Sequence, residues 1–219
     1  MIIKMLIKKA AYWVRHLLHD SYWAIVKFVP WLRPLYETRN TQTPITFQFW
    51  FFQKVLGFNR HAYWPVHFTS IIGNEKNIYA GVDTAPGYSQ GCYIQAIGKV
   101  YIGDYTQIGP NVGIISANHN LYDSREHEAE EVHVGKYCWI GMNAVILPGV
   151  VLGDFTIVGA CSLVSKSFPE GYCVIGGSPA KVIKYLTKED CCEFKNKYEY
   201  NGYVKKKDFD EFRRKYLNV

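Results

Sequence analysis

Among the histidines of this chain, His119 stands where a regularly patterned segment gives way to a polar stretch, His119–Glu131 (HNLYDSREHEAEE). That placement fixes the backbone of the residue and leaves its imidazole at the surface. Unperturbed imidazole titrates near pH ~6.5, so a neutral ring can take a proton from a hydroxyl. His127 and His133 lie in or beside the same stretch, which leaves a three-histidine metal site open as an alternative. Lys181 and Lys184 are long cations of the kind that pair with phosphates. The six cysteines form no CxxC pair, and Cys138 and Cys161 fall inside the pattern described next, so they read as reduced core thiols.

The element that must position His119 shows in the periodicity. Every sixth residue from Ile102 is aliphatic (Ile102, Ile108, Ile114), and so is every sixth from Val134 (Val134, Ile140, Ile146, Leu152, Val158, Val164). Gly follows at 103, 109, 135, 141, 153 and 159. The fourth position along is small or β-branched in most units: Thr106, Val112, Cys138, Ala144, Val150, Thr156 and Ser162. A helix or an alternating strand does not produce a period of six. A triangular coil does, with one short strand and one corner per unit and the aliphatic side chain stacked inward on its equivalent about 4.8 Å away. Gly then suits a backbone that turns sharply. Between Ile114 and Val134 the spacing is 20 residues instead of 6, so a loop of about 14 residues leaves the coil at a corner, a favoured place for function.

The flanks are of different character. Residues 1–70 carry nine Lys/Arg against two Asp/Glu, and with Pro30, Pro34 and Pro44 they read as a separate, partly helical region. Residues 71–179 are assigned to the coil, irregular at first and regular from Val100 to about Val174. The charged, amphipathic tail 180–219 is expected to form one or two helices capping an open end. The apolar run Tyr22–Leu32 is broken by Lys27 and Pro30 and is too short to span a bilayer. Trp13, Trp23, Trp31 and Trp50 among Lys and Arg fit peripheral attachment to anionic lipid at the inner face of the membrane, or packing on the coil or a partner subunit. The chain is otherwise read as cytoplasmic, with no nucleic-acid partner.

Three segments, 108–123 (IGPNVGIISANHNLYD), 132–166 (VHVGKYCWIGMNAVILPGVVLGDFTIVGACSLVSK) and 176–186 (GGSPAKVIKYL), carry a resemblance. Their order of His-loop, WIG, LPGV and SPAK resembles the hexapeptide-repeat acetyltransferases, of the galactoside and maltose O-acetyltransferase kind. It is closer still to those assigned to surface-polysaccharide clusters. The resemblance covers roughly residues 78–186. It implies a mainly β fold, a left-handed parallel β-helix, although parallel crossovers are normally right-handed. It further implies a homotrimer with acetyl-CoA along a groove between two coils, and no metal. His119 matches the catalytic base, and Trp139 an aromatic wall of the acceptor site, where Asn118, and Gln95 or Ser89 in place of polar residues without a clean equivalent, are the further candidates. Met142, Ala160, Ser165, Lys166, Lys181 and Lys184 match the contacts of acetyl-CoA. Met142 stands where Ser or Gly is common, and the region Tyr88–Val100 does not align without gaps, so the acceptor is the least determined part.

Other readings stay open at this stage. A γ-type carbonic anhydrase uses the same scaffold with three His ligands, at spacings unlike those here. A non-catalytic scaffold protein and an antibiotic-modifying acetyltransferase are the remaining two.

Overall fold

In the computed structural model, which describes residues 26–219 together with Tyr12 and Trp23 (of Trp31, the backbone alone), the nine aliphatic residues point into one column and none is more than 8% exposed. The helical pattern of Met1–Lys27 and Trp13 lie almost wholly outside the described residues. Short parallel strands stack into three faces. The first holds Ile71–Ile72, Tyr93–Ile94, Gly113–Ile114, Val145–Ile146 and Leu163–Val164. The second holds Ile78–Ala80, Val100–Ile102, Val132–Val134 and Val151–Leu152. The third holds Gln107–Ile108, Trp139–Ile140, Thr156–Val158, Cys173–Gly177 and, antiparallel at its edge, Ala180–Tyr185. Repeat equivalents pair in register: Ile108 with Ile140 and Val158, Ile114 with Ile146 and Val164. Each buried aliphatic side chain contributes about 1.5–3 kcal/mol of transfer free energy, and the register keeps all of them on the inside.

The glycines have a different cause from the one expected. Gly103, Gly109, Gly135, Gly141, Gly153 and Gly159 do not have positive φ. The first five are instead places of close approach: a Cβ on Gly135 would lie 2.5 Å from the backbone nitrogen of Asp154 in the next coil, and one on Gly141 2.7 Å from that of Ala160. The sharp turn falls two residues later, in the left-handed region, at Tyr105, Asn111, Tyr137, Asn143, Phe155 and Cys161. Asn tolerates that conformation, whereas an aromatic ring there is uncommon.

The aromatic corners compensate by stacking. Tyr105, Tyr137, Phe155 and Tyr172 form a continuous ladder with ring centroids 5.3, 4.9 and 5.2 Å apart. Such pairs add about 0.5–1.5 kcal/mol each beyond burial. The ladder also holds the tail, since the Tyr137 hydroxyl donates to the Phe194 carbonyl at 2.9 Å and the Asn196 amide donates to the Tyr105 hydroxyl at 3.1 Å. Tyr137→Asn relaxes the backbone but removes two stacks and one hydrogen bond. Limited proteolysis is therefore expected to cut the segment 190–199 faster, with the melting temperature moved by only a few degrees.

The tail carries the expected helix at its end, and strands precede it. Ala180–Tyr185 is a strand paired with Cys173–Gly177, Tyr200–Asn201 pairs with Val204–Lys205, and the one α-helix of the tail is Lys206–Tyr216. That helix returns to the first coils, where Phe209 and Phe212 pack on Tyr63 and Tyr79. Asp83 ties both flanks to the coil. Its carboxylate is 6% exposed and accepts from the amides of Gln42 and Thr43, the Thr43 hydroxyl and the Asn196 side chain. Four donors satisfy a buried charge that would otherwise be costly. The described part of the N-terminal region is short helical pieces, Arg33–Glu37 and Phe47–Trp50, the latter continued by a π-helical turn at Phe51–Val55.

Candidate active site

The interruption at Ile114 folds as a β-hairpin thrown out between the first and second faces. Its legs are Ala117–His119 and His127–Ala129, with His119 opposite His127. Its root is pinned twice. The Gln95 side-chain oxygen accepts from the amides of Ser116 and Ala117 at 3.0 and 2.8 Å, and the Ser116 carbonyl accepts from the Glu130 amide at 2.9 Å. Its tip is an Asx-type turn, in which Asn120 Oδ1 accepts from the amides of Tyr122 and Asp123 while its Nδ2 donates to Glu128. The Arg125 side chain and backbone N–H bond the Asp123 carboxylate and hold its carboxyl below the usual range.

Within this frame His119 is exposed, and its Nδ1 lies 2.6 Å from the Ser124 carbonyl oxygen. A carbonyl only accepts, so Nδ1 carries the proton. In the neutral ring Nε2 is then left with its lone pair, which is the arrangement a general base requires. The His127 ring packs on the imidazole, with centroids 4.4 Å apart. The sequence offers His127 only as a ligand of the alternative metal site, and the Ser124 carbonyl in no role. The signal for His127 is its distance of eight residues, which a hairpin converts into opposition.

The remaining candidates are distributed around the coil. Ser165 and Lys166 follow Leu163–Val164 at the corner between the first and second faces, the corner from which the hairpin emerges, and both are exposed. Met142 and Ala160, also exposed, occupy the corner between the third and first faces in successive coils, linked by the Cys161 amide donating to the Met142 carbonyl at 2.9 Å. Trp139, 57% exposed, lies on the third face between Gln107 and Ile157, and exposed Lys181 and Lys184 are on the edge strand of that face. Trp139 borders an open groove of about 360 Å³ with Gln42, Gln107, Tyr137, Phe155 and Phe194. Asn118, next to His119 and exposed, is opposite Glu128. Gln95, the other acceptor candidate, has its side-chain oxygen bonded at the root of the hairpin. The fold thus gathers His119, Asn118, Ser165 and Lys166 along one corner, and assigns Trp139 to another face.

Cys138, beneath this surface, is no nucleophile: burial pushes its thiol up to about 12. Among the described residues no group of three or more His, Cys, Asp or Glu is placed to hold a metal ion. No helix among them is long and apolar enough to cross a membrane.

Residues 131–166 match the model of the bacterial transferase hexapeptide (six repeats), so this part of the coil is a hexapeptide repeat. The chain is 36% identical over 110 residues to WbbJ of Escherichia coli (strain K12), assigned as a lipopolysaccharide biosynthesis O-acetyl transferase; the match takes in 44% of this chain and 56% of that one. It is 34% identical over 117 residues to a galactoside O-acetyltransferase of Lactococcus lactis, covering 52% and 53% of the two chains. A solved galactoside acetyltransferase in complex with coenzyme A is similar at 26% identity and a TM-score of 0.48, covering 60% of this chain and 70% of that one. The chain spans about half the length of the curated relatives it matches.

Proposed function

We propose that this protein transfers an acetyl group from acetyl-CoA to a hydroxyl of a sugar or surface-polysaccharide precursor, with His119 as the general base. The observation that carries the reading is the 2.6 Å contact between His119 Nδ1 and the Ser124 carbonyl, on a hairpin fixed at its root and its tip. The acceptor hydroxyl attacks the thioester carbonyl carbon as its proton passes to His119 Nε2. The C–S bond then breaks, and the proton returns to the departing sulfur to give CoA thiol and the acetyl ester. Its similarity to a lipopolysaccharide-biosynthesis and a galactoside O-acetyltransferase supports a carbohydrate acceptor.

Two features support a homotrimer. The candidate acetyl-CoA contacts occupy two different corners and the edge strand of the third face, which suits a cleft shared by adjacent copies. His119 and Trp139 lie on different faces, so a neighbouring copy is needed to bring an aromatic wall to the base. Peripheral contact of the N-terminal region with the inner face of the membrane belongs to the same reading, and a lipid-linked glycan is then a natural acceptor. The test is release of CoA thiol from acetyl-CoA against a panel of sugars, glycans and antibiotics. Turnover confined to the antibiotics would displace the carbohydrate reading. In the same assay Lys181→Ala with Lys184→Ala is expected to raise KM for acetyl-CoA about tenfold with kcat little changed, as loss of phosphate pairing predicts.

A further inference from the structure

From Thr38 to Asn74 the chain contains Arg39, Lys54 and Arg60 and no Asp or Glu. Between Phe47 and Phe68 six large apolar side chains are 37–55% exposed: Phe47, Phe51, Val55, Leu56, Phe58 and Phe68. Scattered exposed apolar residues are ordinary; six of them concentrated in 22 positions mark a surface that something covers.

The arrangement says what kind of partner that is. The chain leaves the π-helical turn at Val55, reverses through Gly57 at φ +90, and returns at Phe58, so Val55–Phe58 forms an apolar tip. Two cations clasp its base reciprocally. The Lys54 ammonium donates to the carbonyls of Arg60 and Ala62 at 3.0 and 3.2 Å, and the Arg60 guanidinium donates to the carbonyls of Lys54 and Val55 at 3.4 Å each. Phe52 stacks on Phe68 at 4.7 Å and continues through Phe51 to Phe47, which braces the tip from behind. Carbonyls with partners supplied from within the protein lose less on leaving water. Arg60, exposed at the rim of the apolar tip, can meet acidic headgroups, and the segment Thr38–Asn74 contributes no carboxylate to repel them.

We infer that Val55–Phe58, with Phe47 and Phe51 beside it, is the element that seats this protein on an anionic membrane surface. The inference rests on the peripheral-contact part of the proposed function and names the residues that make the contact; it is independent of the chemistry at His119. The partner is a bilayer whose headgroups carry negative charge.

Co-sedimentation of the full chain with vesicles tests it, using phosphatidylcholine alone and phosphatidylcholine mixed with phosphatidylglycerol. The protein is expected to sediment with the mixed vesicles and to be released by salt. Leu56→Ser combined with Phe58→Ser should weaken that partitioning about tenfold, as loss of two inserted apolar side chains implies. Light scattering should show the same number of copies per particle, and CoA release on a soluble acceptor should be unchanged. The fluorescence that Leu56→Trp adds should be quenched by brominated lipid, a readout that does not depend on the double variant folding. If the double variant sediments like the wild type, the tip is not the seat although peripheral contact survives. If the wild type ignores anionic vesicles, both fail. A drop in copy number in the double variant, with vesicle binding retained, assigns the patch to contact between copies and overturns the inference.

Discussion

His119→Ala is expected to lower turnover of acetyl-CoA by about 10²–10⁴-fold, the range typical of a lost general base. The melting temperature should not move, because the side chain is exposed and the hairpin keeps its other constraints. Asn120 still closes the turn, Asp123 still bonds Arg125, and Gln95 still holds the root. KM for acetyl-CoA should stay near the wild-type value, since His119 is not among the residues proposed to hold the cofactor. Initial rates of thiol release at saturating acetyl-CoA, alongside thermal denaturation, check both halves. A variant that keeps more than about a tenth of the wild-type rate removes His119 from the role of base. A rate that falls together with the melting temperature would mean that the ring is structural.

The second large effect concerns stability. Gly135→Ala puts a methyl group 2.5 Å from the Asp154 backbone nitrogen and 2.6 Å from the Gly153 carbonyl carbon, and although the Asp154 carboxylate, also 2.6 Å away, could move, these backbone atoms cannot yield alone. The coils must separate locally. A cost of about 3 kcal/mol follows from overpacking against backbone, and at this chain length that is a fall of roughly 6–12 °C in melting temperature. Gly159→Ala is the matched control. It occupies an equivalent repeat position, but the nearest atom to its added carbon is 3.4 Å away, an ordinary contact. If the glycines served only to turn the chain, the two variants would behave alike. If close approach between coils is the cause, only the first is damaging.

The same contrast shows what was legible in the sequence. The buried column from Ile102 to Val164 was fully readable, because one inward residue per six-residue side is a linear property of the chain. The gap between Ile114 and Val134 was readable for the same reason, and with it the position of His119. The cause of the glycines was not, since the distance from Gly135 to Asp154 is set by the pitch of the coil. The left-handed corners went unread because the position is filled by Asn in some coils and by Tyr or Phe in others; the aromatic choice makes sense only once the rings stack. The segment 180–185 has the charge pattern of a helix end and became a strand because Cys173–Gly177 presents it an unpaired edge. At the site, the atom that orients His119 is the Ser124 carbonyl, and a backbone atom leaves no mark in residue identity.

The paired root of the hairpin has one more consequence. Its outgoing and returning legs are joined at Ser116 and Glu130, so the scaffold itself has already brought the two ends of the loop together. What lies beyond that junction is free to vary in length at small thermodynamic cost, because doubling a closed loop adds only about 0.6 kcal/mol. The coil beneath is held by contacts the loop does not share. The chain is therefore organised like a handle with an exchangeable bit. If the hairpin borders the acceptor as proposed, changing side chains between Asn120 and Glu126 would change acceptor preference, with the base left as it is so long as the backbone that carries the Ser124 carbonyl keeps its path. Transplanting that short segment between chains of this kind becomes the natural way to redirect them.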